Sequence, residues 1–190
     1  MAIVRLANAQ GEMAATPATS PSQRNSQHAE LCALGERWLR GSGRCRVVLR
    51  DPFKAAVASG ECPDVIGWGG GISILIECKT SRHDFLADRR KCFRVKPELG
   101  MGDFRLFLAP PGIIRVADLP EGWGLLVAES GKVRIHGPMP RQYTMKCYGV
   151  TRKTRNAIHW YPAPFKGNKD AENAMLVSAL ARSTTREGIV

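Results

Sequence analysis

Eight residues, Ile72 to Lys79, alternate with a period of two, and that alternation constrains the whole chain. Ile72, Ile74, Ile76 and Cys78 fall on one face of an extended strand. Ser73, Leu75, Glu77 and Lys79 fall on the other. Upstream, Pro63-Asp64 opens a second short strand, Val65 to Trp68, and Gly69, Gly70 and Gly71 form the turn between the two. Two carboxylates and an ammonium therefore gather on adjacent strands. A half-buried strand with a solvated polar face would account for Ser73, but less readily for the Glu77-Lys79 pair beside Asp64.

The flanking chain supplies helices and more strands. Gln27 to Arg40 has helical periodicity, with Leu31, Leu34 and Trp38 on one stripe, and Gly41 and Gly43 end it. Arg46 to Leu49 reads as a short strand, and a loop runs from Asp51-Pro52 to Cys62. Ser81 with Asp84 three residues on has the spacing of a capping box. The helix it opens is expected to run to about Val95, with Phe85, Leu86, Cys92 and Phe93 on one stripe. At about 100° per residue, Arg82 and Arg89 project onto that same stripe, so each either snorkels outward or meets an anionic group.

Phe104 to Ala109 is an apolar strand, and Trp123 to Ala128 and Lys132 to Ile135 flank the turn Glu129-Ser130-Gly131. Asn168 is placed to cap a last helix, Lys169 to about Arg182, with Ala171, Met175 and Leu176 on a stripe. The order helix, strand, strand, strand, helix, strand gives an α/β domain with a mixed sheet.

The chain has 190 residues and a net charge of +11. That surplus points to nucleic acid as partner. Residues 1–26 read as a disordered leader, 27–140 as the folded domain and 141–190 as an extension ending in a helix. Between Arg141 and Lys169, seven Lys and Arg alternate with Tyr143, Tyr148, His159, Trp160, Tyr161 and Phe165. Such a stretch suits single-stranded nucleic acid, or else docks the extension onto the domain. Cys32, Cys45, Cys62, Cys78, Cys92 and Cys147 are scattered with no C-x-x-C pair, which argues against structural zinc. No apolar run reaches the roughly 20 residues a membrane helix needs. A cytoplasmic protein with reduced thiols is expected.

Phosphodiester hydrolysis needs an activated water, a clamp on the phosphate and help for the leaving oxygen. A divalent cation on two carboxylates can serve all three. Asp64 and Glu77 are the candidate ligands, and Lys79 would orient or deprotonate the water or stabilise the phosphorane.

Pro63-Asp64, twelve intervening residues and Glu77-Cys78-Lys79 resemble the signature of the PD-(D/E)XK nuclease superfamily. The continuation Thr80 to Lys91, with Asp84-Phe85 and Asp88-Arg89, is similar to the MmcB-like DNA-repair branch and related phage proteins. Phe107 to Pro110, Leu119-Pro120 and Gly124 to Ala128 also fit that branch. The resemblance covers residues 28–136.

It implies a restriction-endonuclease-like α-β-β-β-α-β core with a mixed central sheet flanked by helices. It also implies a Mg2+- or Mn2+-dependent DNA nuclease of bacterial or phage DNA processing. Asp64, Glu77 and the Cys78 carbonyl would hold the metal, and Lys79 would be catalytic. Many members add a glutamate from the first helix. Glu30 and Glu36 compete for that place, and Glu30 is preferred because it flanks the Leu31-Leu34-Trp38 stripe. Arg82, Arg89 and Lys91 would contact phosphates, and a homodimer could cut both strands. The alternative is a nucleic-acid-binding module that does not cleave.

Overall fold

Six strands form one mixed sheet in simple chain order, β1-β2-β3-β4-β5-β6. The computed structural model describes residues 21–51, 60–137 and 163–187. Helix α1 (Pro21–Arg40) leads to β1 (Val47–Arg50), β2 (Val65–Gly69) and β3 (Ile72–Cys78), which pair antiparallel. The β2–β3 turn is the pair Gly70-Gly71, with φ of 61° and 83°. Positive φ at both central residues is what a two-residue hairpin twisted like its strands requires, and glycine adopts it without strain.

β3 and β4 (Phe104–Ala109) run parallel, and such a pair needs a crossover. Helices α2 (Arg82–Asp88) and α3 (Cys92–Val95) provide it. β5 (Trp123–Glu129) continues the parallel register, β6 (Lys132–Ile135) turns back antiparallel, and α4 (Lys169–Glu187) ends the described chain.

The strand alternation sorts the core into two layers. Ile74, Ile76 and Cys78 of β3 join Phe104, Leu106 and Leu108 of β4 beneath Leu31, Cys32, Leu34, Trp38 and Leu39 of α1. The opposite face stacks Leu75, Phe107, Trp123 and Leu125 under Phe85 of α2 and Ala171 and Met175 of α4. Both faces of β3 are therefore covered, and its polar face is not solvated: Ser73, Glu77 and Lys79 are all buried.

Several expected boundaries shift. α1 starts at Pro21, so residues 21–26 are helical rather than part of a leader, with proline at the helix start, where its missing N–H costs nothing. β1 and β2 each reach one residue further than expected, and α4 reaches Glu187. The helix after Ser81 is not continuous to Val95. It breaks after Asp88, where the Arg90 and Lys91 amides donate to the carbonyls of Ala87 and Asp88 three residues back, and it resumes at Cys92. Phe85 and Phe93 are buried as the stripe predicts, whereas Leu86 and Cys92 are exposed. Residues 1–20 of the expected leader, 52–59 of the expected loop and 141–162 of the basic aromatic stretch, with Tyr143, Tyr148, His159, Trp160 and Tyr161, lie outside the described residues.

The last helix is anchored through its first turn. The Asn168 side chain accepts from the Ala171 amide at 3.0 Å, the expected cap. Glu172 is buried, and it accepts from Trp68 Nε1 at 3.0 Å, the Ser73 hydroxyl at 2.8 Å and the Gly102 amide at 2.9 Å. Gly102 has φ of 84°, and a Cβ there would lie 2.7 Å from the Leu75 side chain, so the close approach requires glycine. Phe165 docks on the second core layer, with the Arg105 guanidinium 4.1 Å from its ring centroid. Lys169 pairs with Asp103 at 2.6 Å.

Candidate active site

The site lies where β2 begins and β3 ends. Val65 opposes Ile76 in the antiparallel register, so Asp64 precedes the paired residues of β2 at the level of Glu77. Asp64 Oδ2 accepts from the Cys78 amide at 2.7 Å. This fixes the carboxylate across the end of the hairpin, and its charge is felt by both Glu77 and Lys79.

Glu77 and Lys79 share the face opposite the isoleucines, as their spacing predicts, with Lys79 Nζ 3.4 Å from Glu77 Oε2. Lys79 also lies 3.2 Å from Asp88 Oδ1 and 3.9 Å from Asp84 Oδ1, both from α2. The cap that starts α2 is formed: Ser81 Oγ accepts from the Asp84 amide at 3.2 Å. Burial alone would lower the Lys79 pKa, but Glu77, Asp88 and Asp84 outweigh it and raise it. Lys79 is thus a fixed ammonium among carboxylates.

Arg94, which the sequence did not single out, is the centre of this cluster. Its guanidinium spans Glu61 at 2.6 Å, Glu77 at 2.9 Å and Asp88 at 2.7 Å. It is also enclosed by Phe93 and Trp123, whose ring centroids lie 4.7 and 4.6 Å away. Glu61 further accepts from the Met101 amide at 2.5 Å, which gives that carboxylate a structural part. Burial pushes the Glu77 carboxyl up to about 7, against the pull of Arg94 and Lys79. At Asp88 burial also works upward, but Arg94 and Lys79 prevail and hold the carboxyl down at about 2.

On the α1 side the expectation for Glu30 changes. Glu30 is exposed, and Glu36 pairs instead with Arg40 at 3.0 Å and Arg50 at 3.4 Å. The α1 side chain that reaches Asp64 is His28, with Nε2 3.3 Å from Oδ1. The hydrogen bond to Asp64, with a further one to Cys32, raises the His28 pKa to about 10. Cys32 is one turn along, its Sγ 3.6 Å from His28 Nδ1. The neighbouring Cys78 thiol, together with His28, lowers the Cys32 thiol to about 7 despite burial. The signal for this group was available as a histidine and a cysteine at positions i and i+4, which share a helix face. Nothing local announced that Asp64 would lie opposite them.

Of the three candidate phosphate contacts, Arg82 and Arg89 lie outside the buried cluster and Lys91 lies at its edge. Arg82 does meet an anionic group, and it belongs to the chain itself, whereas Arg89 meets a neutral backbone carbonyl. Arg82 pairs with the Asp118 carboxylate at 2.7 Å and Arg89 donates to the Asp118 carbonyl at 3.1 Å. Lys91 pairs with Asp88 at 2.6 Å. Arg82 and Lys91 keep 36% and 45% of their side-chain surface accessible, enough to exchange these partners for another anion.

No family model matches the chain, and no curated protein matches it. Among solved structures, a protein of unknown function from Silicibacter pomeroyi is similar at 21% identity and a TM-score of 0.50, over 83% of this chain and 88% of that one. A likeness at that identity concerns the fold alone.

Proposed function

We propose that the chain is a metal-dependent DNA nuclease with a restriction-endonuclease-like core of the PD-(D/E)XK type, acting in the cytoplasm of a bacterial or phage-infected cell. The observation that carries this reading is the convergence of Asp64, Glu77 and Lys79 at one end of the β2–β3 hairpin. The order α1-β1-β2-β3-α2, followed by parallel β4, supports it as well.

The donor set fits a hard divalent cation such as Mg2+ or Mn2+, which takes oxygen ligands and needs only one or two carboxylates from the protein. Asp64, Glu77 and the Cys78 carbonyl would hold it. Each Glu77 oxygen has a single cationic neighbour, Arg94 or Lys79, which leaves lone pairs to donate. When bound, the metal supplies a more acidic water and charge neutralisation at the phosphate. Lys79, kept as an ammonium by its carboxylate neighbours, stabilises negative charge developing on the phosphate and does not take the proton from water. Arg94 holds Glu77 and Asp88 in place beneath it.

A second reading, DNA binding without cleavage, is favoured by one observation. Glu77 and Lys79 are only 2% and 3% exposed, so substrate would reach them only after side chains move. A cleavage panel of linear duplex, single-stranded and branched DNA with Mg2+ and Mn2+ separates the two. Cleavage that disappears in Asp64→Ala and Lys79→Ala, with the fold retained by circular dichroism, is expected. Cleavage that persists in both variants sinks the nuclease reading, and binding without any cleavage supports the second.

A further inference from the structure

His28, Cys32 and Asp64 each offer one ligand atom, and the three atoms lie within 4.8 Å of one another. They come from two elements, a single turn of α1 and the residue that opens β2. We propose that they form a binding site for a borderline-soft divalent cation, zinc in the first instance. This goes beyond the nuclease reading and does not depend on it, although the two share Asp64.

The distances support a tetrahedral arrangement. Zinc–nitrogen and zinc–oxygen bonds of about 2.0–2.1 Å place two such ligands about 3.4 Å apart at the tetrahedral angle, and a sulfur ligand slightly further from either. His28 Nε2 is 3.3 Å from Asp64 Oδ1 and 4.0 Å from Cys32 Sγ. Closing that second edge needs only a few tenths of an ångström.

The donor chemistry sets this site apart from the Asp64–Glu77 pair. Mg2+ takes oxygen ligands, whereas an imidazole and a thiolate beside one carboxylate suit zinc, cobalt(II) or another metal of that group. No close cysteine pair marks such a site in the sequence. Here Cys32 and Asp64 are 32 residues apart in the chain and meet where α1 packs on the sheet. The shared Asp64 makes the two sites interdependent: zinc held by His28 and Cys32 engages the carboxylate that magnesium would use.

Cobalt(II) titration of the full metal-free chain tests the proposal. One equivalent per chain is expected, with a thiolate-to-cobalt charge-transfer band that zinc abolishes. The band should be lost or strongly reduced in Cys32→Ser. His28→Ala should weaken binding by more than about tenfold, since even outer-shell partners of a metal cost about 10–100-fold. No charge-transfer band in the unmodified chain overturns the proposal, whatever the variants do. A band of unchanged strength and affinity in both variants, with binding at other cysteines, overturns it too. The readout is independent of cleavage. A cobalt site without nuclease activity refutes only the function proposed above, and Mg2+-dependent cleavage without a cobalt site refutes only this inference.

Discussion

At the scale of single residues, proton placement decides what the site can do. Lys79 is surrounded by Glu77, Asp88 and Asp84, and their charges outweigh the burial that would otherwise free its proton. His28 is held in the same way from the other side, since Asp64 accepts from its imidazolium and raises its pKa to about 10. The ordinary histidine value is about 6.5. A raised pKa means that the folded state holds the proton more tightly than the unfolded chain. The contribution of His28 to stability is therefore complete below about 6.5 and fades as pH rises through about 10. Melting temperatures measured across that window should fall more steeply for the natural chain than for His28→Gln. Equal slopes would show that Asp64 does not hold the proton. The effect is expected to be modest, because the His28 side chain is 36% exposed and solvent weakens the pair.

At the scale of elements, the break between α2 and α3 organises the site. Asp88 and Arg94 are six residues apart, and at about 100° per residue a continuous helix would turn them about 240° from each other. They could not then meet. With the helix broken after Asp88, Arg94 Nε reaches Asp88 Oδ2 at 2.7 Å and spans Glu61 and Glu77 as well. Arg94→Ala should leave three buried carboxylates without their shared cation. The expected cost is about 3–5 kcal/mol, read as a lower urea midpoint with an unchanged denaturant slope. A loss well below about 1 kcal/mol would mean that Lys79 and Lys91 suffice to neutralise the cluster.

The same elements show what the sequence could disclose. The alternation of Ile72 to Lys79 placed Glu77 and Lys79 on one face correctly, because strand period is a local property of the backbone. The Ser81 and Asn168 caps were legible for the same reason. The burial of Glu77 and Lys79 was not, because α2 and α3 cover that face through contacts distant in the chain. Nor was the helix break, because two of the acids that Arg94 meets across it come from β3 and from the residues before β2. The choice between Glu30 and Glu36 turned on a similar point. Helical phase located the sheet-facing stripe, but it could not say which side chain beside that stripe would meet Asp64, and His28 does.

At the scale of the whole molecule, charge is partitioned between interior and surface. Lys79, Arg94 and Arg105 lie buried or nearly so, and Lys79 and Arg94 face buried acids directly. If the chain binds DNA as proposed, the remaining surplus within the net +11 would meet its phosphates. Each duplex phosphate neutralised contributes about −0.9 to the slope of log affinity against log salt. If Arg82, Arg89 and Lys91 each meet a phosphate, replacing all three by glutamine should reduce the magnitude of that slope by about 2–3. The internal pairs with Asp118 and Asp88 do not alter this expectation. They must be exchanged for phosphate, which lowers affinity, but the released ions that set the slope come from the DNA. Filter binding of a short duplex to both chains over a range of salt measures the difference. An unchanged slope would remove these three residues from the DNA footprint and leave the binding charge elsewhere in the chain.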